Sequence, residues 1–495
     1  MKYKLILSAA ALSFAFGASA LDVNVANPGT LAEVLGDNDI ATLTSLTVSG
    51  QLDASDLYYL GNNAKALVSL DLSGARIMAY NGEKTINGMR NYPADLIPAG
   101  AFAGSRLTSV ALPAGVTEIG SMAFATAPLA ALPDLSGVKK IDDGAFAAIA
   151  ATEITYPAAE MGANVFAGSE VRTVTVAPGT SIAAGAFDGC ANLSEVSGAE
   201  GVVAIGDRAF SNTAALSEFN FGNGLKAIGS GAFRASGLVN ADLSAATSLD
   251  TIGEFAFAQM PALEQASIAS PSVKCAPGVF FDDKQLATLN YPETLKNLAD
   301  YLLKGTESLA LSTFPESLQS IGNYAMTGNT ATTTLHLPAT LAYIGDGAME
   351  GMTGLTEIDA AALSARPEIG ADVWAGVDQP SVKLKVNEDL YSDFKSAEQW
   401  QNFDISYTSG IDDIVSDKAP AASMSARFAG TLLQIAATGV DIARVELFDI
   451  SGATLVSLQA NGTAAEVETA TFANPYFIVT VTLADGTRSS LKLKR

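Results

Sequence analysis

A large apolar residue returns along most of the chain at Phe102, Phe124, Phe146, Phe166, Phe187, Phe210, Phe233, Phe257, Phe280, Leu303, Met326, Met349 and Trp374, at intervals of 20 to 25 residues. Five residues before it stands an aliphatic residue in most copies, among them Ile97, Ile119, Ile141, Ile182, Ile205, Ile228, Ile252, Leu298, Ile321, Ile344 and Ile369, often followed by Gly. After each anchor comes a short apolar alternation that in many copies ends at proline: "LTSVALP" at 107–113, "TEITYP" at 152–157, "VRTVTVAP" at 171–178, "LATLNYP" at 286–292, "TTTLHLP" at 332–338. These segments predict strands, because inward positions alternate with outward ones and proline, lacking an N–H, fits only where a ladder stops. A period of this size denotes one supersecondary unit per copy, and a single unit cannot bury its own apolar face. The expected fold is a solenoid of short parallel strands, about 13 coils of ~23 residues over 96–407.

Within each copy, "IGDRAF" at 205–210 and its relatives join one strand to the next. The Gly is expected to permit a sharp bend, and the Ala to let the Phe pack under the following coil. The anchors Phe102, Phe124, Phe146, Phe187, Phe210, Phe233 and Phe257 are the expected core. A stack of coils also needs covered ends, since a bare terminal coil exposes core and an unpaired edge. Residues 21–95 are expected to cap the N-terminal end, and "YSDFKSAEQWQNFDI" to close the other with Tyr391, Phe394 and Trp400. Residues 410–495 break the period: "LLQIA", "VELFDISG", "TLVSL" and "PYFIVTVTLADGTRSSLKLK" are short strands between turn residues, as in a small all-β sandwich.

The motif I-G-x-x-A-F-x-x-x-x-x-L-x-x-[VI]-x-[IL]-P resembles the BspA-type leucine-rich repeat of bacterial surface proteins. The segment "TLTSLTVSGQLDASDLYYL" is similar to the capping region of that family. In the last domain, Val445, Phe448, Asp449, Gly452, Tyr476, Val479, Val481 and the run from Lys492 to Lys494 resemble the C-terminal sorting domain of type IX secretion cargo. The usual Tyr-Pro-Asn-Pro opening is absent, residues 414–427 reading "IVSDKAPAASMSAR". The two resemblances imply a leucine-rich-repeat solenoid with a sorting-like sandwich, on the outer surface of a Gram-negative bacterium or secreted from it. Its implied partners are host extracellular matrix proteins or other bacterial cells, with glycans as an alternative, and the secretion machinery through the last domain.

Residues 1–20, "MKYKLILSAAALSFAFGASA", agree with export: Lys2 and Lys4, an apolar run, then Ala18-Ser19-Ala20 as a small-residue cleavage site before Leu21. The net charge is −24, and residues 21–409 contain 19 basic against 43 acidic residues. Such a field repels phosphate backbones, so nucleic acid is an improbable partner. Cys190 and Cys275 lie about four coils apart in the repeat frame, too far for a bridge, and are expected as two separate buried thiols.

Catalytic chemistry has little to build on, and no enzyme, cofactor or metal is expected. His336 is the chain's one histidine and takes an outward strand position between Leu335 and Leu337. The carboxylate pairs Asp142 with Asp143, Asp282 with Asp283, and Asp412 with Asp413 read as solvated turn residues, since none extends into a calcium loop. "GNGLKAIGSGAF" is the repeat turn and no P-loop Lys-Ser/Thr follows it.

The candidate contact surface is instead the outward column of the predicted sheet: Ala111, Thr155, Thr175, Asn220, Asp242, Ser267, Asn290, His336 and Asp359. Solenoids use such polar faces for binding, though any wet sheet face tolerates the same residues. A second candidate is the insert "MAYNGEKTINGMRNYPADL", residues 78–96, expected to form a long loop presenting Tyr80 and Tyr92 either to a partner or to the cap beneath. Beyond adhesion or protein interaction, the open alternatives are a carbohydrate-binding module and a structural envelope protein.

Overall fold

The computed structural model describes residues 20–408, 424–449, 452–472, 476–486 and 488–494. The proposed leader, apart from Ala20, and the pair Asp412 with Asp413 lie outside the described residues. The chain forms a parallel-strand solenoid of about 17 turns and a C-terminal antiparallel region. It divides into two compact units, one of residues up to 355 with 367–378, the other of 356–366 with residues from 379 onward. No helix among the described residues is long and apolar enough to cross a membrane.

In the first unit, most turns carry two ladders. One is two residues long and stacks the aliphatic position, with Ile182, Ile205, Ile228, Ile252 and Cys275 in register. The other is three or four residues long. Glu153–Thr155 pairs with Thr173–Thr175 and that with Glu195–Ser197, while Asn240–Leu243, Gln265–Ile268 and Thr288–Asn290 form a second set.

Between the ladders runs the anchor segment, which has no strand yet pairs its amides with equal regularity. The N–H groups of Arg208, Phe210 and Asn212 donate to the carbonyls of Ser230, Ala232 and Arg234 in the next turn, at 2.9, 2.7 and 2.8 Å. The intervening amides of Ala209 and Ser211 donate three residues back, to Gly206 and Arg208. This alternation goes with left-handed backbone two residues before and two after the anchor, at Arg208 (φ 54°) and Asn212 (φ 59°) in this turn. The rings between those positions form one stack from Phe102 to Phe280. Successive centroids are 5.3 to 6.0 Å apart and the planes are within 18° of parallel. Every ring of the stack is at most 2% exposed, so the repeated phenylalanine is the shared core of neighbouring turns.

The glycine after the aliphatic residue has a different reason from the expected bend. At Gly206 and Gly253 the backbone is not left-handed, but a β-carbon would lie 2.6 Å from Ala184 N and 2.5 Å from Ser230 N of the preceding turn. Glycine is there because two turns approach closely, not because the chain bends sharply.

Residues 21–95 extend the same architecture. Ala20–Val25, Ser45–Leu52 and Ser69–Asp71 pair in parallel and pass the register on to Ser109–Ala111. Helix Ala54–Asn63 begins at a capping box of Asp53 and Asp56. The Asp56 carboxylate also accepts the N–H groups of Gly29 and Leu31 at 2.7 and 3.0 Å, tying two segments of the first turns together.

The second unit contains the parallel strands Glu357–Ala360, Lys383–Asn387 and Asp404–Thr408. Helix Tyr391–Ser396 and the turn at Trp400 accompany them, with Phe394 and Trp400 fully buried and their rings 5.0 Å apart. The sandwich in this unit has three antiparallel strands in one sheet, Met424–Ala429, Leu432–Ala437 and Ala464–Glu468. The other sheet holds Ile442–Phe448, Thr454–Gly462, Tyr476–Leu483 and Arg488–Lys494. Leu433 and Ile435 from the first sheet and Val445, Leu447, Phe477 and Val479 from the second share one core.

Candidate interaction surface

Alternation along each longer strand turns the middle residue inward and its neighbours outward. Ile154 and Val174 are buried, whereas Thr155 and Thr175 are exposed and in register with each other and with Ser197. Asp242, Ser267 and Asn290 form the next rank, where Asn290 Nδ2 donates to Ser267 Oγ at 3.2 Å. An isolated bridge aligns Thr313 with His336, which is exposed between the buried Leu335 and Leu337. In the second unit Asp359 is in register with Lys385 and Ser406. Ala111 belongs to a rank with Asp22, Thr47 and Asp71.

Asn220 does not join this column. It is exposed but lies outside any strand. In "EFNF" its neighbours are aromatic: Phe219 packs edge-on to Phe210 and Phe233 at 5.2 and 5.1 Å, and Phe221 edge-on to Phe233 at 5.4 Å. No strand forms at this turn, so the outward rank is interrupted between Ser197 and Asp242. Ser197, Thr313 and the N-terminal ranks are the members that the repeat pattern missed. Ser197 and the N-terminal ranks lack the strand-closing proline that marks the clearest copies, whereas Thr313 is followed by Pro315.

Part of the column has a local task. Asp242 accepts the N–H of Ser244 at 3.0 Å, Asp71 that of Ser73 at 2.8 Å and Asp359 that of Ala361 at 3.1 Å. These bonds end the strand in an Asx turn. The hydroxyl and N–H of the serine two residues on hold the Asp71 and Asp242 carboxyls below the usual range. The threonines and Asn290 have no such turn to make, and they are the more available contact groups.

The insert at 78–96 is a hairpin, not a loop. Tyr80–Ile86 pairs antiparallel with Met89–Tyr92 around the left-handed Asn87 and Gly88. Tyr92 is 4% exposed; its ring packs on Tyr58 and Tyr80 at 6.0 and 6.3 Å, and its hydroxyl donates to the Ile86 carbonyl at 2.6 Å. Tyr80 is half-buried against it. Tyr92 therefore belongs to the N-terminal core rather than to a contact loop, because a tyrosine on each strand closes the hairpin onto helix Ala54–Asn63.

The carboxylate pairs diverge. Asp143 accepts the Ala163 N–H at the surface, but Asp283 is fully buried and not a solvated turn residue. It occupies the position three residues after the anchor, where other turns place Cys190, Thr213 or Met260, all buried. Its Oδ1 accepts the Met260 N–H at 2.7 Å, its Oδ2 has no partner among the described residues, and burial pushes its carboxyl well above the usual range. Both cysteines are free, Cys190 buried and Cys275 half-buried, and burial pushes each thiol up to about 12. Among the described residues no group of three or more His, Cys, Asp or Glu is placed to hold a metal ion.

In the sandwich, the matched Val445, Val479 and Val481 are core residues, and Gly452 takes a left-handed turn (φ 87°). Lys492 and Lys494 lie over the Tyr476 ring at 5.8 and 5.7 Å. The basic strand is a full member of its sheet, with seven register pairs from Tyr476 to Thr482, and Leu493 packs against the core.

Stacked anchors, close-approach glycines and outward polar ranks define a repeat solenoid of parallel strands. The family model described as BspA type leucine rich repeat region, in six copies, matches residues 93–182, 180–310 and 274–373, and the chain belongs to this family. Similar solved structures include a leucine-rich repeat protein from Bacteroides ovatus, 17% identical over 68% of this chain and 85% of that one, with a TM-score of 0.47. The pneumococcal vaccine antigen PcpA is 15% identical over 61% and 79%, with a TM-score of 0.39. A leucine rich cell surface protein from Faecalibacterium prausnitzii is 21% identical over 56% and 86%, with a TM-score of 0.32. No curated protein matches the chain. None of these descriptions names an enzyme.

Proposed function

We propose that the chain is an exported surface protein of a Gram-negative bacterium that serves as an interaction or adhesion scaffold, binding host matrix proteins or other cells through its repeat array. The observation that carries this reading is the in-register outward rank of small polar groups, Thr155, Thr175 and Ser197 above all. A flat rank of this kind suits broad contact with a partner surface better than enclosure of a substrate. The test is binding of the chain from Leu21 onward to immobilised host matrix proteins and to whole bacterial cells. Saturable binding is expected, and Thr155→Lys with Thr175→Lys should weaken it about tenfold or more at unchanged melting temperature. Unaltered affinity of that variant, or no saturable binding to either target, overturns the reading.

Export is the second half of the proposal. The leader at 1–20 supports passage of the inner membrane, and the sorting-like sandwich supports delivery by type IX machinery. Truncating the last strand would unpair its whole register, so charge reversal is the cleaner probe. Lys492→Glu with Lys494→Glu keeps the strand and inverts its charge. In a host with that machinery the variant should accumulate in the periplasm. Parental surface levels, measured by protease accessibility on whole cells, would count against the sorting role.

A further inference from the structure

The left-handed positions flanking the anchors lie above one another in successive turns, so a change of residue size there shapes the surface. Three consecutive turns carry Arg208 with Asn212, then Gly231 with Ala235, then Phe255 with Gln259. The middle turn lacks bulk at both positions. The result is a notch one turn wide, with a volume of about 440 Å³, within the range of small-molecule sites, about 300–1,000 Å³. Arg208 forms one wall, its Cγ 3.5 Å from where a β-carbon would stand on Gly231. Phe255 lines the other side; it is 37% exposed, its ring leans over Gly278 of the following turn, and Phe281 packs edge-on to it at 5.7 Å.

Arg234 lies in the notch between these walls. Its Nε and Nη2 both donate to Gln259 Oε1, at 2.9 and 2.6 Å. Arg208 is neutralised by Asp188 at 2.7 Å, whereas Arg234 makes no ion pair with any described residue of a chain whose net charge is −24. A guanidinium has five N–H donors, and Gln259 takes two from one edge. The edge formed by Nη1 and Nη2 is left presented, the fork that matches a carboxylate bidentately. Glu254 at the rim adds a negative charge, which disfavours doubly charged phosphate and leaves a single carboxylate as the better fit.

Around this fork the notch offers the exposed ring of Phe255 and unused polar atoms. The Ser230 hydroxyl bonds to no described residue, and Asn212, whose Nδ2 donates to Asp188 and Ser211, keeps its Oδ1 as an acceptor. A carboxylate alone would use Arg234 only. A sugar ring bearing a carboxylate would also cover Phe255 and offer hydroxyls to Ser230 and Asn212. We propose that the notch over Gly231 binds an acidic sugar, its carboxylate paired with Arg234 and its ring lying on Phe255.

This site does not depend on the polar column, so its failure leaves the scaffold reading intact. The test is calorimetric titration of the chain from Leu21 onward with glucuronate, N-acetylneuraminate, glucose and a blocked glutamate peptide. One or both acidic sugars should bind saturably and glucose at least about tenfold more weakly. Arg234→Gln should lower that affinity about 10- to 100-fold, Arg234→Lys by less, and the remote Arg172→Gln not at all. Arg234 is exposed, so these variants should melt with the parent. The proposal is overturned by equal binding of glucose and glucuronate, by tighter binding of the peptide than of the sugars, by unchanged affinity in Arg234→Gln, or by no binding of any probe.

Discussion

Phe210→Ala is expected to destabilise the array by about 3–5 kcal/mol. The ring is fully buried and lies between Phe187 and Phe233 at 5.6 and 5.3 Å, with Phe219 edge-on at 5.2 Å. Neighbouring turns are fixed by backbone bonds on both sides of the anchor, from Arg208 to Ser230 and from Asn212 to Arg234, so they cannot close over the space left behind. Because each turn touches only its neighbours, the loss should spread from the middle of the array and broaden the transition. Phe102→Ala, at the end of the aromatic stack with one stacking partner, should cost less. Denaturant midpoints of the two variants and the parent decide the matter. A Phe210→Ala transition superimposable on the parent's would remove that ring from the core.

Asp283→Asn should stabilise the chain at neutral and alkaline pH, because the amide carries no charge to bury and needs no proton to stay neutral, and do little near pH 3. The folded carboxyl titrates well above the ordinary value of 3.8, burial being the main cause. Below the unfolded value the group is protonated in both states and contributes no difference. Between the two values the native state holds a proton that the unfolded chain has released, so stability falls as pH rises through that window and stays lowered above it. Asparagine keeps an oxygen for the Met260 N–H and carries no charge to bury. Thermal melts across pH 3 to 8 should therefore separate the two proteins progressively. Parallel curves would mean that Asp283 is solvated.

The period, the anchors and the closing Phe394 and Trp400 were legible in the linear chain, because burial by stacking demands the same apolar residue at the same place in every turn. The outward ranks of Thr155 with Thr175 and of Asp242, Ser267 and Asn290 followed from the same alternation. Three features escaped it. Asn220 lies outside the ladder although Phe219 and Phe221 flank it as Leu335 and Leu337 flank His336. Asp283 took an interior position shared with Cys190 and Met260, where the Met260 amide of the preceding turn meets it. Tyr92 turned inward because Tyr80 lies across from it on a hairpin over Tyr58.

The notch at Gly231 belongs to the same group. Neither glycine nor arginine is unusual there in one dimension; its walls are Arg208 and Phe255, each one turn away. A residue's own environment within a turn repeats with the period and can be read from the period. What neighbouring turns place against it, at a spacing of about 5 Å, is set by side-chain size at positions more than 20 residues apart, and only stacking the turns brings those sizes together.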